Sequence, residues 1–544
     1  MTAADWFLQA SERANAATVL DRRHPDGLAW TTGNQVRTLV HGARYFAALV
    51  EAVRAMRAGD LLLFTDWRGD PDERLDAGGT DVRTLLCDAA ASGVVVRGLV
   101  WRSHLDRLQF SERENRHLGE DVNAAGGVCL LDMRVRPGGS HHQKFVVLRH
   151  PGRPEMDCAF VGGIDLCHGR RDDVTHRGDA QSQPMSAVYG ARPPWHDVQL
   201  HLRGPVVGDV ETVFRERWND PAPLSRDPFH IVRDRVQHVD PGRTALPTQL
   251  PDPSPCGSQA VQLLRTYPAR RPGYPFAPAG ERSVALGVNK VLGRARRLVY
   301  IEDQYLWSRD VAAGFARALG AQPTLHLVAV LPRYPDQDGR FSTAPNLVGR
   351  YEALRMLQRA GGGRVSVFSP ENHDGTPVYV HAKVCVVDDE WASVGSDNIN
   401  RRSWTHDSEL SCAVVEEPVD SPRSTDPSGG PREPDGADAT DGQGGRPFPL
   451  ALRLELAREH LDRATGDDED LIDPREAFGA MVAAATALDA WHVGGKVGSR
   501  PKGRLRPYPL PPLSRLTRAW SSVPYRAVYD PDGRPRSLRA ADRF

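Results

Sequence analysis

The chain has 544 residues, several times the ~150 of an ordinary domain, so a lone small binding module is excluded and more than one core is required. Lys+Arg total 69 and Asp+Glu 70, which leaves no global field to draw the chain to polyanions, so any phosphate recognition has to be local. With 40% hydrophobic residues beside 50 Gly and 43 Pro, large cores are expected to alternate with long loops.

The start, MTAADWFLQASERANAATVLDRR, lacks a basic segment followed by an apolar run, and no ~20-residue apolar run occurs later. A cytoplasmic or membrane-peripheral location is therefore expected, with export by a non-Sec route as the alternative. The seven cysteines, Cys87, Cys129, Cys158, Cys167, Cys256, Cys385 and Cys412, are odd in number and without metal-type spacing, which fits reduced thiols.

From Gly42 to Gly59, Tyr45, Phe46, Leu49, Val50, Val53 and Met56 recur at helical spacing, and 61–65 (LLLFT) follows as a buried strand. Residues 81–93 predict an amphipathic helix closed by Gly93, and 94–100 (VVVRGLV) a second strand, which together imply a βαβ unit with a parallel sheet. The order recurs as helix 283–297, strand 298–302, helix 310–320 and strand 324–332. Phe64 lies 78 residues before His142, and Ile301 lies 80 before His381, each histidine opening an HxK triplet. The expected fold is α/β: two similar sandwich lobes made by internal duplication, with a ligand site where they meet.

The predicted division is an N-terminal extension at 1–34, a first lobe at 35–225, a connection at 226–279, a second lobe at 280–490 and a basic, Pro-rich tail at 491–544. Residues 417–446 are Pro/Gly/Asp-rich and read as a disordered insert, after which 448–463 predicts a helix returning to the second lobe. The tail either covers the surface or touches anionic lipid. The loop 182–195, with Met185, Val188, Tyr189 and Trp195, is suited either to rest on an interface or to pack as a turn.

The chemistry-bearing residues sit in the two triplets. In VYVHAKVCVVDDEWASVGSDNINRRS (378–403), His381 and Lys383 share one face of an alternating strand, followed by Asp388, Gly395, Ser396 and Asn398. SHHQKFVVL (140–148) sets His142 and Lys144 in the same relation, and FVGGID (160–165) supplies a Gly pair and Asp165. Two imidazoles near neutrality suit a nucleophile and a proton donor working without metal. The acids Asp66, Asp70 and Asp303 lack a convergent ligand pattern and read as structural, so neither metal nor cofactor is expected.

HxKxxxxD followed by GG or GS and Asn resembles the signature of the phospholipase D superfamily, which the second lobe matches in full. HHQKFVVL, GGIDLCHGRRD (162–172), PWHDVQLHLRGP (194–205), FRERWN (214–219) and VYIEDQYLW (299–307) are similar to phospholipases D of eukaryotic type. The resemblance implies a covalent phosphohistidine on His142, with His381 protonating the departing alcohol and then activating water or another alcohol. Lys144, Lys383 and Asn398 would hold the phosphoryl oxygens. Glu409 would orient His142 and Asp197 would orient His381, crosswise between lobes. Asp388 joins the catalytic set, and Asp165 and Ser396 are expected at the substrate. The implied partner is phospholipid at a membrane surface, and one chain holding both triplets needs no second copy.

Two positions depart from the signature. Arg149 stands where the first-lobe motif has Asp, with Asp157 a candidate to compensate, and Arg171 in GRRD stands where those phospholipases have Trp. On this reading Arg149→Asp leaves activity unchanged or raises it. A nuclease is disfavoured by the mixed-sign loop 169–179, and a degenerate lipid-binding homologue by the two intact triplets. An exported effector acting on host lipid stays open.

Overall fold

The structure, a computed structural model, describes residues 2–103, 112–230, 232, 244–338, 340–417, 445–510, 513–541 and 543–544. The stretch expected to be disordered lies, from 418 to 444, outside the described residues.

The first half of the chain forms β1 (Thr31–Val40), β2 (Leu61–Asp66), β3 (Val95–Trp101), β4 (Val128–Asp132), β5 (Phe145–Arg149), β6 (Cys158–Gly162), β7 (Trp195–His196) and β8 (Val198–Arg203). The second forms β9 (Gln259–Tyr267), β10 (Glu281–Arg282), β11 (Leu298–Asp303), β12 (His326–Val330), β13 (Val365–Pro370), β14 (Tyr379–Val380), β15 (Lys383–Val387), β16 (Trp391–Gly395), β17 (Glu409–Glu416) and β18 (Leu505–Pro507). One sheet runs through both halves and is joined at its centre by the antiparallel pair β1 and β9. Outward from β1 come β8, β6, β5, β2, β3 and β4; outward from β9 come β17, β16, β15, β11, β12 and β13. The same order on both sides is the expected duplication.

The predicted βαβ units are present, with β2, β3 and β4 parallel in one lobe and β11, β12 and β13 parallel in the other. The other neighbours in this sheet are antiparallel, β5–β6 and β15–β16 being joined by turns too short for a crossover, and β7 and β14 form a separate parallel pair. Alternation along the strands divides the core. Leu61 and Leu63 of β2, with Leu298 and Tyr300 of β11, face a core shared by both lobes, whereas Leu62 and Phe64, and Val299 and Ile301, face a separate core in each lobe. Helices Val206–Trp218 and Phe448–His460 cover the shared core, and helices Gly42–Arg54 and Ser283–Leu292 pack on the outer ones. Each buried Leu, Val or Phe contributes roughly 1.5–3 kcal/mol to this arrangement.

The outlying segments are built in. The stretch expected as a connection supplies β9, and the N-terminal extension buries Trp6, Phe7 and Leu8 in the second-lobe core. The tail places β18 on the edge strand β13 and then forms the helix Arg515–Pro524, which leaves Leu516 and Val523 exposed. In the loop 182–195, Tyr189 and Trp195 are buried against Tyr379, so it packs as a turn rather than presenting those rings outward.

Candidate active site

Both HxK triplets lie at the start of the strand that neighbours the parallel trio, at the seam between the lobes. His142 donates its backbone amide to Ser408 O at 2.9 Å and sets Nδ1 2.8 Å from Glu409 Oε2. His381 repeats this across the pseudo-twofold: its amide donates to His196 O at 2.8 Å and its Nδ1 lies 2.6 Å from Asp197 Oδ2. Each ring is thus held by the other lobe's strand, at an acid and at the residue before it, and Nε2 is the free nitrogen on each. The side chains are 14% and 8% exposed, so both rings open onto a cleft while their acids are fully buried.

The Gly pairs explain themselves by distance. A Cβ on Gly163 would lie 2.2 Å from Asp197 Oδ1, and one on Gly395 would lie 1.8 Å from Ser411 Oγ, so only glycine lets these turns approach the strands carrying the acids.

The lysines extend the symmetry: Lys144 Nζ donates to His142 O at 2.9 Å, and Lys383 Nζ donates to His381 O. Lys144 also lies 3.4 Å from Asp165. Asn398 is buried with Oδ1 free of any hydrogen-bond partner. Burial, then Lys144 and Lys383, holds His142 well below the ordinary histidine range, and burial with Lys383 and Arg170 does the same to His381. Burial raises Glu409 to about 8, with Asp407 adding to it, raises Asp197, and lowers Lys383 to about 8. Against its burial, Lys144 and Asp66 hold Asp165 below the carboxylate range, while burial and Asp165 raise Asp66.

Three expected assignments change. Asp388 is not at the site: it lies beyond the far end of β15, where its carboxylate accepts the amides of Arg296, Arg297 and Leu298 at 2.7–2.9 Å and anchors the start of β11. Ser396 donates to Glu409 Oε2 at 2.6 Å and accepts the Leu410 amide at 3.1 Å, so it positions the acid behind His142 rather than facing a substrate. Arg171 is half-buried with its backbone amide on Asp179. Its neighbour Arg170 is the guanidinium at the site, 3.9 Å over the Trp195 ring and 3.9 Å from Asp165. Arg149 is fully buried between Asp157 and Glu211, each at 3.0 Å, so Asp157 meets the reversed charge, together with an acid from the helix Val206–Trp218.

Asp66 and Asp303, read as structural, hold equivalent loops: Asp66 accepts the Leu166 amide and Asp303 the Ile399 amide, both at 2.8 Å. Two rings flank the histidines: Trp67, unmarked in the sequence, and Trp195, expected there only as part of a surface loop. Trp67 stands edge-on to His142 at 6.1 Å with Lys144 above it at 5.9 Å, and Trp195 lies against His381 at 4.9 Å with the rings tilted by 35°. Their signal was the aromatic residue beside each strand-end acid, Asp66-Trp67 and Trp195-His196-Asp197.

A duplicated fold with paired HxK triplets, Gly turns and crosswise acids defines a class, and sequence comparison agrees with it. The profile of the family described as Phospholipase D matches residues 76–267, and that of Cardiolipin synthase, PLD-like domain, matches residues 342–421. The chain belongs to the phospholipase D superfamily. It is 26% identical to phospholipase D alpha 1 of Oryza sativa subsp. japonica over 63% of this chain and 55% of that protein. It is 25% identical to phospholipase D alpha 2 of Arabidopsis thaliana over 62% of this chain and 56% of that protein. The chain spans little more than half the length of the curated relatives it matches. Among solved structures, phosphatidylserine synthase of Haemophilus influenzae Rd KW20 aligns with a TM-score of 0.48 at 12% identity, over 70% of this chain and 82% of that one.

Proposed function

We propose that the protein is a phospholipase D-type phosphodiesterase that converts a glycerophospholipid such as phosphatidylcholine to phosphatidic acid, or transfers the phosphatidyl group to another alcohol. The observation that carries this is the crosswise pairing of His142 with Glu409 and of His381 with Asp197. His142, held neutral with Nδ1–H on Glu409, attacks phosphorus through Nε2. The phosphorus–oxygen bond to the head-group alcohol breaks as His381 gives that oxygen its Nε2 proton. Water or an alcohol then passes its proton back to His381 and displaces His142. Lys144, Lys383 and the Asn398 amide take the non-bridging oxygens, and Arg170 adds a third cation beside them.

The choice of lipid is supported by the aromatic wall beyond the Trp195–Tyr379 pair, where Tyr305, Trp307, Tyr334 and Tyr379 stand with Asp336. Aromatic faces with one acid suit a quaternary ammonium. No helix among the described residues is long and apolar enough to cross a membrane. The exposed Leu516 and Val523 beside Arg515 and Arg518 suit contact with a lipid surface from one side.

The test is choline release and phosphatidylethanol formation from phosphatidylcholine vesicles in dilute ethanol, wild type against His142→Ala, with plasmid cleavage alongside. His142-dependent phosphatidylethanol is expected. Plasmid nicking without lipid turnover would replace this reading with a nuclease, and inactivity in both would replace it with a binding protein.

A further inference from the structure

Behind His381, on the side away from the cleft, four imidazoles and two carboxylates are packed together. Glu459, on helix Phe448–His460, has Oε2 2.7 Å from His41 Nε2 and Oε1 2.9 Å from His176 Nε2 and 3.3 Å from His196 Nδ1. These ligand atoms all lie within 4.8 Å of one another, and the three rings are 3%, 1% and 0% exposed.

The outward nitrogens decide what the inward ones carry. His176 Nδ1 lies 3.0 Å from the Trp195 carbonyl, which only accepts, so that nitrogen bears the proton. His196 Nε2 lies 2.6 Å from Glu302, which is itself fixed by His460 at 2.7 Å and by the Tyr300 hydroxyl. In neutral rings, His176 Nε2 and His196 Nδ1 are then bare lone pairs turned on the same carboxylate oxygen, and His196 Nδ1 and His41 Nδ1 have no hydrogen-bond partner. Facing a carboxylate, these nitrogens need either a second proton on each ring or a cation between them. The outward contacts, a carbonyl on one histidine and a carboxylate on another, are those that orient metal-bound imidazoles. His41 and His176 also hold left-handed backbone, φ 72° and 50°, which non-glycine residues keep only where the surroundings impose it.

We propose that His41, His176, His196 and Glu459 form a closed structural site for a divalent first-row metal ion, zinc foremost. Three imidazoles and one carboxylate match its tetrahedral preference, and ligand atoms all within 4.8 Å of one another are near enough to close on a single ion with ~2.0–2.1 Å bonds. The ion ties three first-lobe segments to a second-lobe helix. His196 O accepts the amides of His381 and Ala382, so the ion also stiffens the seat of His381. It takes no part in phosphoryl transfer, and the site stands whether or not the proposed lipid activity does.

The test uses untagged full-length protein, grown with zinc, iron and manganese and purified without chelator, with metal counted by elemental analysis. About one ion per chain is expected in wild type, falling severalfold in His176→Ala and in Glu459→Gln. After stripping with dipicolinate, Co²⁺ is expected to give the intense visible absorption of a tetrahedral site, and Zn²⁺ to raise the melting temperature. Wild type without stoichiometric metal and without stabilisation by either ion would overturn the site in favour of a network of imidazolium cations. Metal content unchanged in both variants would also overturn it, placing the ion elsewhere.

Discussion

Replacing Glu409 by Gln tests the crosswise arrangement most directly. Glu409 Oε2 receives two donors, His142 Nδ1–H at 2.8 Å and the Ser396 hydroxyl at 2.6 Å, and the Leu410 amide fixes Ser396 as a donor toward it. A glutamine in this place must turn its carbonyl oxygen to those donors and its NH₂ away. The His142 tautomer is therefore retained, and only the charge is lost. As His142 acquires positive charge on bonding phosphorus, a carboxylate roughly 4 Å from the ring centre at an effective dielectric of about 20 supplies about 4 kcal/mol. At about 1.4 kcal/mol per decade, kcat/KM should fall about a thousandfold. The assay is turnover of bis(p-nitrophenyl) phosphate and of short-chain phosphatidylcholine, so that the result does not hang on lipid choice. A loss within about tenfold would refute the role of the acid. A loss well past about 10⁴, the scale seen when the tautomer itself is wrong, would refute the part given to Ser396.

With bis(p-nitrophenyl) phosphate the leaving group needs no proton, so His381→Ala is expected to release about one nitrophenolate per site in a burst and then stall, whereas His142→Ala shows no burst; a burst from the latter would remove His142 as nucleophile. Below about 8 the Glu409–His142 pair takes up a proton that leaves His142 Nε2 blocked, and above about 8 Lys383 loses its charge, so kcat/KM should peak near 8 and fall on both sides. A profile that stays flat well to the acid side would contradict this, and Glu409→Gln should abolish the acid limb. Arg149→Asp, harmless on sequence grounds, sets a third carboxylate beside buried Asp157 and Glu211 and should cost about 3–5 kcal/mol or more, read as a lower thermal midpoint; an unchanged midpoint would refute the pairing.

The duplication and both histidine–lysine pairs were legible because a two-residue strand period puts such side chains on one face without further information. The acids Asp197 and Glu409 were not derivable from spacing, since their partners lie in the other lobe, and only the family resemblance paired them. Ser396 was misplaced because the direction of its hydroxyl depends on how closely β17 passes, which Gly395 sets and no periodicity reports. Arg170 was passed over for its neighbour because adjacent loop residues point to different places. The histidine–glutamate cluster was invisible because His41, His176, His196 and Glu459 come from four separate stretches, each ordinary alone.

The seam between the lobes has a consequence for ancestry. Because each histidine is completed by the other half's acid, one unfused half could work only as a symmetric pair, with two identical histidines competing for both tasks. Joining the halves in one chain made their differences inheritable: Asp165 against Asn398 at matching turns, and Arg149 against Asp388 at matching strand ends. Such unequal surroundings are what allow one imidazole to specialise as attacker and its twin as proton carrier.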